Sequence, residues 1–191
     1  FKKKPKIIFI SSISVYGNVK SKKIKESSNL NPISNYSFNK AIAESFCKKF
    51  NEEKKMDILI LRGTSLYGRG LKKQLIYDAC SKISKKKNYF FGTGKEIRDF
   101  ISIHDFTDLI KCIIFKGFRG YKVVNAGTGV GTKISQVINY IIKKFKKKLK
   151  PKFNNFGKDV NPISLVPDIR KSKDYDWHPK INIYNGLDDY I

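Results

Sequence analysis

The sequence is poor in the features that mark several classes of protein. Of 191 residues only 16 are acidic, three are cysteine, and methionine and tryptophan occur once each. No apolar run approaches the roughly 20 residues that a membrane-spanning helix needs, so no membrane partner is expected. Phe1-Lys2-Lys3-Lys4-Pro5 leads straight into a short strand with no small-residue cleavage site, so no signal peptide is read there. Cys47, Cys80 and Cys112 are odd in number and far apart. They have neither metal-site spacing nor the look of a disulfide framework, which points to a reducing cytoplasm and to no bound metal. Arginine is scarce too: Arg62, Arg69, Arg98, Arg119 and Arg170 are the only ones among 40 basic residues, and the net charge is +24. Clustered cations gain affinity for nucleic acid by releasing phosphate counterions. Base reading and bidentate phosphate contacts, however, favour the guanidinium fork. The lysines spread over helix faces and tails are therefore read as compositional enrichment. No specific nucleic-acid partner is expected, only weak attraction to polyanions.

What is present is a globular chain. Forty per cent of the residues are hydrophobic, enough for a packed core. Three short apolar runs, at 6–12, 57–62 and 121–127, have the character of buried parallel strands. Residues 17–33 are polar and read as a loop. Ser34 is a candidate N-cap for a helix over 35–54, with Ile42, Phe46 and Phe50 four apart on one face. Further helices are predicted over 72–86, from Asp105 as cap to about Lys116, and over 134–145. Residues 88–91 and 100–103 read as short extended pieces, and the tail from Pro151 as looser. Strands alternating with helices give an α/β fold with a parallel sheet, in which ligands lie beyond the carboxyl ends of the strands. Ser11 and Ser12 stand at such an end.

Tyr36 and Lys40 fall four apart near the start of the 35–54 helix, so they share one face. An ammonium beside a phenol favours the phenolate, drawing the tyrosine down from its usual value near 10. Such a tyrosine can exchange a proton with a substrate hydroxyl near neutral pH. Two other motifs have plainer readings. Ser102-x-His104-Asp105 is read as a helix cap with His104 at its rim, not as a hydrolytic triad. Gly127-x-Gly129-x-Gly131 lacks dinucleotide-loop spacing and is read as a helix-entry turn. Trp177 is assigned to packing of the tail.

SSISVYG at 11–17, YSFNK at 36–40 and LRGTSLYGRG at 61–70 occur in an order that resembles the extended short-chain dehydrogenases/reductases, and more narrowly the NAD-dependent epimerase/dehydratase family. GTGKEIRDFISIHD (92–105), VVNAGTGVGTKIS (123–135) and VPDIRKSKDYDWHP (166–179) extend the resemblance over nearly the whole chain. It implies the C-terminal part of a Rossmann-like parallel sheet with helices, plus a small α/β substrate-binding lobe. The expected division is 1–69 for the cofactor side and 70–191 for the lobe, with 121–127 returning a strand to the Rossmann sheet. It also implies roles. Ser12 would bond the sugar oxygen, Tyr36 would be the general base and acid, and Lys40 would hold the nicotinamide ribose and tune Tyr36. Gly63 would let the backbone pass the nicotinamide, Ser65 would lie at the substrate, and Arg98 would pair with the nucleotide diphosphate. Ser11 is given a structural role.

Departures from the family pattern are informative. The glycine-rich cofactor turn and the acidic residue near the end of the second family strand are absent from these 191 residues, so the chain is expected to be the C-terminal part of a longer protein and to bind its cofactor poorly or not at all by itself; the resemblance implies NAD, in preference to NADP, as that cofactor. Ser65 replaces an asparagine, and Asn154-Asn155-Phe156 lacks an arginine often found there. Ile13 and Ser14 replace the Asp-Glu pair of 4,6-dehydratases, which disfavours dehydration. The expected activity is thus C4 epimerisation of a nucleotide-linked hexose, most readily a UDP-hexose, by a homodimer packed partly through the 35–54 helix. The alternatives are a reductase or decarboxylase of the same family, or a non-catalytic basic remnant that binds nucleic acid.

Overall fold

A computed structural model describes residues 4–157 and 161–191. The central sheet is built from the three apolar runs. Strands β1 (Ile7–Ser12), β2 (Ile58–Gly63) and β7 (Tyr121–Ala126) lie in the order β1-β2-β7, all parallel. Ser12 pairs with Gly63 and Gly63 with Ala126, so the three strands end level with one another. Ile58, Leu59, Ile60 and Leu61 of β2 are all buried, as expected of the central strand. A single-turn 3-10 helix, Ile13–Tyr16, follows β1 and is capped by Ser12, whose Oγ accepts from the Ser14 backbone N–H.

Helix α1 (Asn35–Lys54) begins at Ser34, whose side chain accepts from Ser37 N while Ser37 Oγ answers the Ser34 backbone, a reciprocal cap. Its Ile42–Phe46–Phe50 stripe does not enter the core. Those residues are exposed, Phe46 by 66%, and the buried residues of α1 are Ser37 and Glu44. The helix therefore docks on the sheet through polar groups.

The rest of the chain forms small sheets and helices. β3 (Ser65–Tyr67) pairs in parallel with β6 (Phe100–Ser102). β4 (Tyr89–Phe90) pairs with β9 (Lys152–Phe153). β5 (Ile97–Arg98) lies between β8 (Thr132–Lys133) and β10 (Ser164–Leu165). Helices α2 (Gln74–Ser84) and α4 (Ile134–Lys144) pack together around Ile76, Ile83, Val137, Ile138 and Ile141. Helix α3 (Ile103–Lys116) covers a second cluster containing Leu59, Leu61, Phe106, Leu109 and Ile113.

Two expectations are corrected here. Ser102, not Asp105, is the N-cap of α3, since its Oγ accepts from Asp105 N. Asp105 is buried, and its carboxylate accepts from the Lys180 and Ile181 backbone N–H groups instead. The tail is correspondingly not loose. Beyond that anchor it contributes β9, β10, α5 (Arg170–Lys173) and α6 (Ile183–Tyr190), and Pro167 makes a bridge to Ile24. Trp177 is buried in the second cluster, as its assignment to tail packing requires.

Candidate active site

Tyr36, Lys40 and Glu44 lie on successive turns of α1 and share one stripe. That stripe is fastened to the end of β1. Lys40 Nζ donates to the Ile10 carbonyl at 2.8 Å, and Ser11 Oγ donates to Glu44 Oε1 at 2.5 Å. Lys40 Nζ also stands 5.1 Å from the Phe9 ring centroid and 6.0 Å from that of Tyr36. Tyr36 itself is 59% exposed, and its hydroxyl has no hydrogen-bond partner among the described residues. One of the three lysine donors is spent on Ile10, which leaves two for a ligand.

Ser12 sits at the carboxyl end of β1, half-buried, and its Oγ accepts from both the N–H and the hydroxyl of Ser14. Its own hydroxyl proton is thereby left free to donate. Gly63, its neighbour in the sheet, has little room to spare: a Cβ there would come within 3.2 Å of the Phe106 ring. Position 13 is a buried isoleucine and position 14 a serine bonded to Ser12, so no carboxyl group occupies either place.

Ser65 and Arg98 are brought together elsewhere. They line one cavity of about 160 Å³ with Tyr67, Tyr77, Phe100 and Ile134. The Arg98 guanidinium bonds only the Ile97 carbonyl among the described residues. Burial pushes Arg98 below the usual arginine range, partly opposed by the nearby Glu96 carboxylate. A sequestered cation with unfilled donors suits an anionic ligand. The structure therefore places the expected residues in two groups: Ser12, Tyr36, Lys40 and Gly63 at the sheet's carboxyl edge, and Ser65 with Arg98 in the cavity.

Behind the first group lies a buried network that sequence reasoning passed over. Arg62 at the end of β2 reaches Glu44 with Nε and Nη2, and Tyr16 Oη with Nη1. Tyr16 donates on to Asn125 Oδ1, and Asn125 Nδ2 to the Ile24 carbonyl. Burial pushes the Tyr16 phenol up to about 12, against the lowering pull of Arg62. Burial alone would depress Arg62, but the Glu44 hydrogen bonds and the charges of its neighbours hold it above the usual range. The signal was visible: an acid four residues after Lys40, and an arginine closing an apolar strand.

The Gly127–Gly131 turn encloses the buried Asp99 carboxyl group, whose pKa burial pushes up, against the lowering effect of the hydrogen bonds it accepts. The Asp99 carboxylate accepts from the backbone N–H groups of Thr128, Gly129 and Val130 and from Thr64 Oγ1. The turn thus leads into β8 and α4 around a protein side chain, in keeping with its reading as a helix-entry turn.

This is a parallel α/β unit with the candidate residues Ser12 and Gly63 at the carboxyl ends of its strands, the side on which such sheets bind ligands. Comparison with known proteins agrees. Residues 1–127 match the model of the NAD dependent epimerase/dehydratase family. The dTDP-D-glucose 4,6-dehydratase of Bos taurus is 27% identical over 184 residues, covering 95% of this chain and 50% of its own length. The UDP-glucuronate 4-epimerase of Thermodesulfobacterium geofontis is 26% identical, with 95% and 57% covered. The crystal structure of UDP-glucuronic acid 4-epimerase from Bacillus cereus, in complex with UDP-glucuronic acid and NAD, superposes with a TM-score of 0.90 at 26% identity, covering 97% of this chain and 60% of that one. The chain belongs to the NAD-dependent epimerase/dehydratase family, and its fold is the mixed α/β, Rossmann-like fold of those structures. It spans 50–57% of the length of these two curated relatives.

Proposed function

We propose that residues 1–191 carry the catalytic and substrate-holding part of a nucleotide-sugar 4-epimerase acting on a nucleotide-linked hexose, a UDP-hexose being the first choice. The observation that carries this is the Tyr36–Lys40 stripe fastened to the strand end that presents Ser12, with no carboxyl group at positions 13 and 14. On this reading Tyr36 and Lys40 supply the acid–base pair, and the extra acid that elimination of water calls for has no counterpart at positions 13 and 14. The division at residue 69 and the roles of Ser12, Tyr36, Lys40, Gly63, Ser65 and Arg98 are parts of this reading.

The residues present suit the nicotinamide side of NAD. Lys40 keeps two donors for ribose hydroxyls, and Gly63 leaves a bare backbone beside Ser12. The glycine-rich turn that would take the pyrophosphate is not among these residues. It is to be sought in the length of the relatives that this chain does not span. Bound NAD would supply the acceptor and donor of hydride at C4. Tyr36 would remove the proton of the C4 hydroxyl and hold it until the oxygen needs it again. Ser12 would donate to the same oxygen and keep it aligned. Arg98 would grip the diphosphate, so that the sugar can turn while the nucleotide stays fixed. The exposed stripe of α1 supports assembly as a homodimer, and the three free cysteines suit a reducing compartment.

The test is Tyr36→Phe in the intact protein, assayed with UDP-hexoses. Turnover is expected to fall by at least about 100-fold with the melting temperature unchanged. Unchanged turnover would remove Tyr36 from the mechanism. A reductase would instead consume reduced cofactor stoichiometrically, which absorbance reports directly, and a decarboxylase would release carbon dioxide, which a labelled carboxyl group reports even where the hydride is returned to the sugar.

A further inference from the structure

The lysines are not spread evenly in space. Helices α2 and α4 pack against one another and run out at the same end of the lobe. The β4–β9 ladder joins the segments that follow them. Tyr89 is paired with Lys152, and Asn88 Nδ2 donates to the Lys150 carbonyl at 2.9 Å. Residues 82–91 and 143–152 are therefore neighbours, and together they hold eleven lysines, no acidic residue and no arginine. Lys82 and Lys144 are tied to Asp78 and Asp188 at 2.7 Å. The other nine have no ion-pair partner among the described residues.

Among these cations stand aromatic rings that the core does not take up. Tyr89 is 62% exposed, Phe91 64% and Phe156 72%. Phe91 and Phe156 touch, with centroids 5.8 Å apart and planes at 56°. Lys82 Nζ lies 4.8 Å from the Phe91 centroid, and Lys152 Nζ 5.4 Å from that of Tyr89. Clustered apolar rings rimmed by charge mark an interaction site rather than ordinary surface.

We propose that this end of the lobe is a peripheral docking surface for an anionic lipid bilayer. Unpaired lysines gain from the negative potential of such a surface, and phenylalanine and tyrosine settle at the boundary of headgroups and acyl chains. Lysine stems can lie along that boundary while the ammonium groups stay in water. Single-stranded nucleic acid fits the patch less well. Base stacking needs open, parallel ring faces. Here the rings are tilted against each other and approached by lysines, and no guanidinium is present. The absence of a spanning helix among the described residues is no objection, because the contact is superficial. No residue of the patch belongs to the Ser12–Tyr36–Lys40 group or lines the Arg98 cavity.

The test is co-sedimentation of the intact protein with phosphatidylcholine vesicles, with and without phosphatidylserine. Binding is expected only with phosphatidylserine. It should weaken at least about tenfold both in Phe91→Ser/Phe156→Ser and in Lys146→Glu/Lys148→Glu/Lys150→Glu. Protection of 89–91 and 145–157 from hydrogen exchange on adding the anionic vesicles reads the same contact without any substitution. Three outcomes would overturn the proposal: equal binding to both vesicles or to neither; loss with the lysine variant but not the phenylalanine one, which is bulk charge attraction alone; or displacement of vesicles by a single-stranded oligonucleotide bound to the same residues.

Discussion

Removing the Glu44 carboxylate is the severest single change the structure allows without touching the proposed chemistry. Glu44 and Arg62 are 2% and 4% exposed, and Arg62 Nε lies 3.0 and 3.2 Å from the two carboxylate oxygens. In Glu44→Ala the guanidinium keeps Tyr16 Oη and a 3.4 Å contact to the Glu26 carbonyl, but its charge is left buried and unbalanced. Ser11 Oγ loses its acceptor as well. Breaking one side of a buried pair costs about 3–5 kcal/mol, and an orphaned hydroxyl adds about 1 kcal/mol or more. The total, about 4–6 kcal/mol, approaches the whole stability of an ordinary domain. Glu44→Gln should cost less, because the amide oxygen still accepts. Glu44→Leu combined with Arg62→Met should recover most of the loss, because both charges leave together. Urea denaturation followed by far-ultraviolet dichroism measures all four proteins. A cost below about 1 kcal/mol for Glu44→Ala would show that the network does not hold α1 to the sheet.

Three further outcomes follow from single contacts. Tyr67→Phe should raise stability by about 1 kcal/mol in thermal melts, since the Tyr67 hydroxyl is buried without a partner among the described residues. Gly186→Ala should be strongly destabilising, because its Cβ would be driven into that same hydroxyl; the Tyr67→Phe background should rescue it in part. Burial pushes the Tyr16 and Tyr67 phenols up to about 12, from 10 in the unfolded chain. The unfolded state therefore loses these protons first, and stability present below pH 10 should fall as pH rises from 10 toward 12, by up to about 3 kcal/mol for Tyr16 and by less for the less deeply enclosed Tyr67. Lysines titrate in the same range, so the urea-midpoint profile is compared with those of Tyr16→Phe and Tyr67→Phe; profiles that do not differ from the wild type's would contradict the burial of both rings.

The central sheet was legible because its strands are short apolar runs, and α1 because Ser34 caps it and the polar loop at 17–33 precedes it. The two-residue strands β5, β8, β9 and β10 were not. Two residues have no periodicity, and these are held by partners far away in sequence, such as Leu165 on Arg98. The tail looked loose for the same reason, although the Asp105 carboxylate pins Lys180 and Ile181 across 75 and 76 residues of chain. The stripe of α1 misled in the other direction. An apolar face at helical spacing is usually a core face, yet Phe46 and Phe50 stay exposed while the helix is held by Lys40 and Glu44. The proposed catalytic residues could be named from their spacing and from family resemblance. Their buried support could not, since nothing local in Arg62 or Tyr16 says that they meet.

Arg98 and Asp99 are adjacent, and in an open loop their charges would cancel. Successive residues of extended backbone point to opposite sides. Here Arg98 faces the cavity while Asp99 is enclosed by the Thr128–Val130 turn. The chain thus sorts a neutral dipeptide into two electrostatic compartments. The cavity sees the cation, and the carboxyl group is spent inside the fold, occupying a concave turn whose N–H groups would otherwise be open to a competing anion.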